Sequence, residues 1–357
     1  TVIAATGKSE TWVRARFAER DGRKLSEVKL GDALDPDTAR ALIAGLPRDQ
    51  MWLVEEPVRV YPGRELAAPL LGFTDVFDDG ASGLEKVLQK ELAGDTIRVL
   101  QERDRKGRTV DGAVDEGGSA SSGNSVQLTL DASIQYATER ALDAAVAASQ
   151  PEAAMAVVMD VRTGAILAIA SRPSGNANEG EIRAQHELFK NRPAMDQIEP
   201  GSVFKPFVAA AAMEEGLITP ETMVDCELGS WVVGPKAIRD DHPKGVISAT
   251  EVIKYSSNIG AAKFGFMLGA EKTLRYLRDF GFGRSTGLGL PGEVAGVMRS
   301  AGTIKPIELA TTAFGQGITA SPIQLVSAVA TLANGGVRMA PRIVAGVLDN
   351  NGQVEMA

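Results

Sequence analysis

The sequence predicts an α+β fold in which a mainly antiparallel sheet is flanked by helices. Two apolar segments, residues 153–160 and 165–170, flank the four-residue stretch Val161-Arg162-Thr163-Gly164, and two buried strands joined by a tight turn form a hairpin. Helical patterns occur between the strand-like segments without regular βαβ spacing. With 357 residues, of which 44% are hydrophobic, the chain is long enough for more than one domain.

Three parts are predicted along the chain. Residues 1–106 combine short β-like segments with two helical stretches, around Pro36–Leu46 and Gly83–Leu92. Residues 107–125 are rich in glycine and serine and contain almost no large side chain, so they cannot bury enough apolar surface to order themselves. We therefore predict a β-rich first domain (1–106), a linker (107–125) and a second domain (126–357).

The second domain begins with a strand and a helix. Residues 126–130, VQLTL, alternate as a half-buried strand does. Asp131 is a typical N-cap for the helix that follows. The apolar pattern predicts that the buried face of this helix carries Ile134, Ala137, Ala141, Leu142 and Ala145.

Capping signals predict three more helices. Ser248-Ala-Thr-Glu251 is a capping box that opens a helix running toward Tyr255, and a second helix begins after Asn258. Ser321-Pro322 supplies an N-cap and a proline at the first helical position, and Asn334-Gly335-Gly336 supplies the stop.

The composition excludes several classes of function. The net charge is −8 without a basic tail or stripe, so we expect no nucleic-acid partner. The single cysteine, Cys226, excludes an internal disulfide, and together with only His186 and His242 it gives no set of soft metal ligands. We therefore expect no metal and no other cofactor, and a nucleophile that is activated by a lysine and not by a histidine. The acidic pair Asp240-Asp241 is typical of a solvated loop.

The ends of the sequence bear on localisation. It contains no run of 18 or more apolar residues, so it predicts neither a membrane span nor a signal peptide. Because the first residue is Thr1 and not a methionine, we expect that the natural protein carries a further N-terminal segment.

The stretch EPGSVFKPF, residues 199–207, places a serine and a lysine three residues apart at the start of a helix. Residues at this spacing share a helix face, so the Lys205 amine can lie beside the Ser202 hydroxyl. A free lysine has a pKa near 10.4, and lowering it by about 3 units costs roughly 4 kcal/mol, which burial can supply. The alternative is an ordinary helix start, because this four-residue pattern is common.

A second polar cluster, Ser256-Ser257-Asn258, lies between two predicted helices. Ser256 there can relay a proton, and Asn258 can hold a substrate amide. The alternative is that Ser257 or Asn258 only caps the next helix.

The order of motifs resembles that of class B penicillin-binding proteins, most closely the septal, division-specific group. The first two signature motifs of penicillin-binding proteins, Ser-x-x-Lys followed by Ser-x-Asn, are present at residues 202–205 and 256–258. The similarity spans nearly the whole chain and is carried by residues 59–73, 80–94, 128–142, 157–173, 199–207, 254–263, 280–293 and 313–325.

The resemblance implies a peptidoglycan D,D-transpeptidase, with a β-rich pedestal domain preceding a transpeptidase domain of the serine β-lactamase-like fold. It implies that Ser202 attacks the penultimate D-alanine carbonyl of a stem peptide and that Lys205 takes the serine proton. Ser256 passes a proton to the leaving amine, and Asn258 binds the donor peptide. β-Lactams acylate the same serine in this family.

The sequence departs from the family pattern in its third motif. No Lys-Thr-Gly follows the Gly-Gln-Gly of residues 315–317, and Arg162-Thr163-Gly164 precedes the nucleophile and matches another family segment. Because the missing strand supplies one oxyanion donor, worth about 10²–10³ in rate, we expect this C-terminally incomplete stretch alone to be inactive or nearly so.

The resemblance also implies a setting for the whole protein. It implies a single-pass anchor in the cell membrane with the catalytic domain on the extracytoplasmic side, and partnership with a membrane glycosyltransferase and other division proteins. Two alternatives remain open: a D,D-carboxypeptidase or endopeptidase, in which water resolves the acyl-enzyme, and a non-catalytic division scaffold.

Overall fold

The computed structural model describes residues 9–11, 36–44, 58–75, 78–94, 123–349 and 352–356. The chain divides into two compact units, Thr1–Val60 and Tyr61–Ala357. The first contains helix α1 (Pro36–Ile43). The helices of the second unit are α2 (Ala68–Leu71), α3 (Gly83–Val87), α4 (Gln89–Leu92), α5 (Ala132–Ser149), α6 (Gly180–Arg183), α7 (Arg192–Met195), α8 (Lys205–Glu214), α9 (Ala249–Lys254), α10 (Asn258–Asp279), α11 (Pro306–Ala313) and α12 (Pro322–Ala333). Its strands are β1 (Ser125–Leu128), β2 (Ala154–Met159), β3 (Ile166–Arg172), β4 (Met223–Asp225), β5 (Ser230–Val233), β6 (Lys236–Arg239), β7 (Val246–Ser248), β8 (Val344–Leu348) and β9 (Val354–Met356).

The strands within the described ranges pair antiparallel, as the sequence predicts. Strand β8 lies between β1 and β9, and the other pairs are β2 with β3, β4 with β7, and β5 with β6. The hairpin predicted around Val161-Arg162-Thr163-Gly164 is confirmed, with Ala154 opposite Arg172 and Met159 opposite Ile166.

The predicted helix caps are also confirmed. The Asp131 side chain accepts hydrogen bonds from Ser133 N and Ile134 N at the start of α5. Ser248 and Glu251 form both bonds of a capping box at α9, and Ser321 forms the equivalent cap at α12. Such local signals are readable in the sequence because each cap satisfies backbone N–H groups of its own helix.

The predicted buried face of α5 is confirmed at Leu142 and wrong at three alanines. The structure buries Gln135, Glu139 and Leu142, whereas Ala137, Ala141 and Ala145 are not buried. The polar side chains face inward because they have specific partners. Gln135 exchanges two hydrogen bonds with the main chain of Ile169, and Glu139 accepts from Arg172 and from Ala67 N.

Helix α8 is held between two apolar cores. Phe204, just before the helix, and Phe207 are fully buried against Phe282. The next residue, Val208, belongs to a second core that contains Phe264 of α10. Burying each of these large side chains contributes about 1.5–3 kcal/mol, so the first turn of α8 rests on a rigid base.

The predicted domain limits stay a prediction, because residues 95–122, around the predicted linker, lie outside the described ranges. The proposed β-rich character of residues 1–106 falls largely on residues outside those ranges too. Leu70 and Leu84, from the predicted first domain, share a core with Ile166 of β3. Among the helices of the described ranges, none combines the length and apolar character needed to cross a membrane.

Candidate active site

The turn before α8 presents Ser202 to solvent. Gly201 has a φ of +58°, and its N–H donates to the carbonyl of Gly315 at 2.9 Å. Residues Gly201–Phe204 then form one 3₁₀ turn that leads into α8. Ser202 is exposed, so its hydroxyl is open to an incoming ligand.

Lys205 lies behind Ser202 with its side chain directed into the protein. The residue is only 1% exposed. Its Nζ lies 3.1 Å from Ser202 Oγ, 2.8 Å from Ser256 Oγ and 2.5 Å from the carbonyl oxygen of Ser256. The amine therefore joins the two serine hydroxyls that the sequence motifs single out in separate parts of the chain.

Burial lowers the pKa of Lys205 to about 8, because the protein interior disfavours the charged ammonium, while the carboxylates of Asp240 and Asp241 act in the opposite direction. At pH 7 about one molecule in ten then carries the neutral amine, compared with about one in a few thousand for a free lysine. The amine is thus available as a base near neutral pH.

Ser256 has a left-handed backbone, which is unusual for a residue with a side chain. Its φ is +57°, and it lies in the short turn between α9 and α10. Such a conformation costs roughly 1–2 kcal/mol. The Ser256 carbonyl and hydroxyl both accept hydrogen bonds from the Lys205 amine, which helps to offset this cost.

The structure brings Asn258 to the same turn, with one half of its amide already engaged. Its Nδ2 donates to the carbonyl of Arg239 at 2.8 Å. In the part of the chain that the structure describes, Oδ1 receives no protein hydrogen bond, so it can accept one from a ligand N–H. Ser257 is the N-cap of α10, so the capping alternative and the proposed roles of Ser256 and Asn258 concern different atoms.

Asp240 lies at the site although no sequence motif points to it. The expectation of a solvated loop at Asp240-Asp241 is wrong for Asp240, which is 9% exposed. Its carboxylate accepts from Ser257 Oγ at 2.6 Å, Asn258 N at 2.6 Å and Ile259 N at 3.1 Å. It therefore neutralises the N-terminus of α10 from another segment of the chain. The sequence carries no local signal for a cap that comes from so far away.

The Gly-Gln-Gly stretch of residues 315–317 packs against the turn that carries Ser202. A Cβ at Gly315 would lie 2.2 Å from the carbonyl oxygen of Gly201, and the φ of Gly315 is +79°. Two residues further along, Gly317 N donates to the carboxylate of Glu199 at 2.9 Å.

Gly315→Ala should therefore lower the free energy of unfolding by two effects. One is the strain of a side chain at a positive φ, and the other is the close contact of the added Cβ. Gly335→Ala is the matched control, because Gly335 has a φ of +65° and nothing within 4 Å of its added Cβ. We expect a loss of about 1–2 kcal/mol for Gly335→Ala and a further loss of about 1–3 kcal/mol for Gly315→Ala. Urea unfolding of both variants measures the difference, and equal losses would contradict the proposed close packing.

The arrangement can carry out acyl transfer. It contains the groups that this reaction needs. They are a solvent-facing hydroxyl as candidate nucleophile, a buried amine that is partly neutral at pH 7 as candidate base, and a second hydroxyl on the same amine as candidate proton relay.

Comparison with known proteins identifies relatives of this chain. The family model described as "Penicillin binding protein transpeptidase domain" matches residues 154–356. Stage V sporulation protein D of Bacillus subtilis is 33% identical over 325 residues, which cover 90% of this chain and 49% of that protein. The probable peptidoglycan D,D-transpeptidase PenA of Neisseria gonorrhoeae is 35% identical over 320 residues, covering 89% and 54%. The chain thus spans about half the length of the curated relatives that it matches.

Solved structures agree with these matches. The apo form of penicillin binding protein 3 of Mycobacterium tuberculosis has a TM-score of 0.75 with this chain at 31% identity, covering 84% of this chain and 64% of that one. The same protein has been solved in complex with aztreonam and with ampicillin.

Proposed function

Because this chain belongs to the penicillin-binding protein transpeptidase family, we propose that it carries the nucleophile and base of a peptidoglycan D,D-transpeptidase. The observation that carries the proposal is the position of Lys205. The residue is only 1% exposed, and its amine lies 3.1 Å from Ser202 Oγ and 2.8 Å from Ser256 Oγ. The fold class predicted from the sequence, an antiparallel α+β transpeptidase domain, agrees with the matched relatives.

In the proposed acylation step, Ser202 Oγ attacks the penultimate D-alanine carbonyl of the donor stem peptide. The hydroxyl proton moves to Lys205 Nζ as the C–O bond forms. Lys205 then returns a proton through Ser256 Oγ to the nitrogen of the terminal D-alanine, and the C–N bond breaks. The products are a Ser202 ester and free D-alanine.

In the proposed second step, an amine of a neighbouring stem peptide attacks the ester carbonyl. The amine gives up one proton to the neutral Lys205, the ester C–O bond breaks, and Ser202 regains its proton from the lysine. A new amide bond now joins the two peptides. Asn258 Oδ1, which receives no hydrogen bond from the described residues, is proposed to accept one from a main-chain N–H of the donor.

Labelling of the full-length protein with a fluorescent penicillin tests this proposal. A β-lactam carbonyl acylates the same serine. The ring C–N bond breaks, and the nitrogen takes up a proton and stays tethered to the adduct. We expect wild type to be labelled, Ser202→Ala to remain unlabelled, and Val203→Ala, at an exposed neighbouring position, to label normally. Mass spectrometry should place the adduct on Ser202. An unlabelled wild type would favour the scaffold alternative, and release of D-alanine without cross-linked product would favour a carboxypeptidase.

For the whole protein we further propose action in septal cell-wall synthesis on the outer face of the cell membrane. We propose that an anchor segment outside this sequence holds the protein in the membrane. A membrane glycosyltransferase and other division proteins are the proposed partners. This rests on the resemblance to the division-specific group and on relatives whose names place them in peptidoglycan synthesis and sporulation.

A further inference from the structure

A cleft beside Asn258 is lined by three basic residues and one acidic residue. It is bounded by the β5–β6 hairpin, by the start of α10 and by α11 with the segment that follows it. The lining residues that matter here are Lys236, Arg239, Asn258, Arg299, Glu308 and Gln316. The acyl-transfer steps proposed above use only Asn258 of this set.

The cations of the cleft outnumber its carboxylates. Arg299 forms an ion pair with Glu308 at 3.3 Å, and Glu308 is fixed by accepting a hydrogen bond from Lys305 N at 2.9 Å. Within the part of the chain that the structure describes, the side chains of Lys236 and Arg239 form no ion pair. Two positive charges therefore remain uncompensated in a protein whose net charge is −8.

The strand that carries the two cations is hydrogen-bonded through its main chain to Asn258, the proposed peptide-binding residue. The carbonyl of Arg239 accepts the hydrogen bond from Asn258 Nδ2, and the next residue, Asp240, caps α10. Lys236 is held in the same hairpin by antiparallel pairing with Val233. A peptide that engages Asn258 Oδ1 would therefore extend along a surface that bears these two cations.

We propose that this cleft is a subsite for a carboxylate of the donor stem peptide, distinct from the terminal carboxylate of the leaving D-alanine. The inference rests on the proposed function and deepens it, because it assigns the charge that the site prefers in its donor. Lys236 and Arg239 supply the attraction, and Arg299, already paired, contributes less. A carboxylate that is amidated would lose this interaction and keep the contact with Asn258.

Two synthetic donors test the subsite. They are pentapeptides that end in D-alanyl-D-alanine and differ only in whether the α-carboxylate of a γ-linked glutamate is free or amidated. Release of D-alanine by the full-length protein gives kcat/KM for each donor. We compare wild type with Lys236→Gln/Arg239→Gln and with the control Arg140→Gln/Arg162→Gln, which removes two exposed cations outside the cleft.

Wild type and the control should prefer the free acid about fivefold, as partly exposed ion pairs allow, and the preference should fall at high salt. The cleft double variant should turn over both donors equally. Because each comparison is a ratio within one protein, partial loss of folded enzyme does not affect it. A preference that persists in the cleft variant, or no preference in wild type, would overturn the subsite.

A binding measurement separates this inference from the proposed function. Ser202→Ala protein cannot form the acyl-enzyme, so fluorescence anisotropy with labelled versions of the two peptides reports non-covalent binding, and the difference between the peptides reports the cleft. If wild type released no D-alanine, the transpeptidase proposal would fail. Tighter binding of the acid peptide that depends on Lys236 and Arg239 would still support the subsite, and equal binding of both peptides would overturn it.

Discussion

Lys205→Met is expected to reduce the rate of penicillin acylation by about 10³-fold in the full-length protein, which is within the range for loss of a positioned general base. Methionine fills much of the volume of the lysine stem, so the two cores around α8 should stay intact. Stopped-flow or quenched labelling with a fluorescent penicillin measures the rate. The matched control is Lys254→Met, an exposed lysine two residues before Ser256, which should acylate normally.

The pH dependence gives this prediction a second readout. The pKa of Lys205 is lowered to about 8, so acylation by wild type should rise about tenfold per pH unit below pH 8 and level off above it. Burying the charged amine costs stability in full below pH 8, and this cost disappears as the pH rises from about 8 toward 10.5, the ordinary value. The free energy of unfolding of Lys205→Met should lack this rise between pH 8 and 10.5. A variant that acylates at the wild-type rate would show that Lys205 is not the base.

Asp240→Asn is expected to lower both the plateau of the acylation rate and the free energy of unfolding. The asparagine oxygen can still accept from Asn258 N and Ile259 N, but the bond from Ser257 Oγ loses its charged acceptor. A hydrogen bond to a charged group contributes about 1.5–3 kcal/mol, so urea unfolding should show a loss of that size. We expect the acylation plateau to fall about tenfold, a change equivalent to about 1.4 kcal/mol.

A shift of the pH profile distinguishes Asp240 from a residue that only stabilises the fold. The Asp240 carboxylate favours the charged form of Lys205, so its neutralisation should lower the pKa of the amine and move the midpoint of acylation below pH 8. Asp241→Asn is the control. Asp241 also acts on Lys205 but is exposed, so we expect a smaller shift and no loss of stability. An unchanged midpoint in Asp240→Asn would refute the electrostatic part of this prediction.

Local sequence signals predict most of the helices and half of the site. Caps such as Ser248 with Glu251, and the spacing from Ser202 to Lys205, act within one helical turn, so their geometry follows from the helix itself. The hairpin around Arg162-Thr163-Gly164 is equally local. The pairing of Lys205 with Ser256 is suggested only by the order of motifs in the family resemblance.

Contacts between distant segments cannot be predicted in the same way. Apolar periodicity finds Leu142 on the inward face of α5 and misses the rest of that face, because it ignores a glutamine that bonds Ile169 and a glutamate that bonds Arg172. Asp240 escapes prediction for the same reason, since its partners follow 17 to 19 residues later. Polar groups are buried where partners satisfy them, and those partners are known only once the chain has folded.

The Lys205 amine donates to the main-chain oxygen of Ser256 as well as to its hydroxyl. Positions 202 and 256 therefore differ in which substitutions they tolerate. Loss of the Ser256 side chain leaves the carbonyl anchor in place, so the proposed base, Lys205, keeps its location while the proposed relay is removed. Position 256 is instead restricted by its left-handed backbone, which glycine and asparagine adopt most readily. Under selection by a drug, the backbone conformation would therefore limit the substitutions at position 256 before their chemistry does. At Ser202, which has no left-handed backbone, the need for the hydroxyl is the limit.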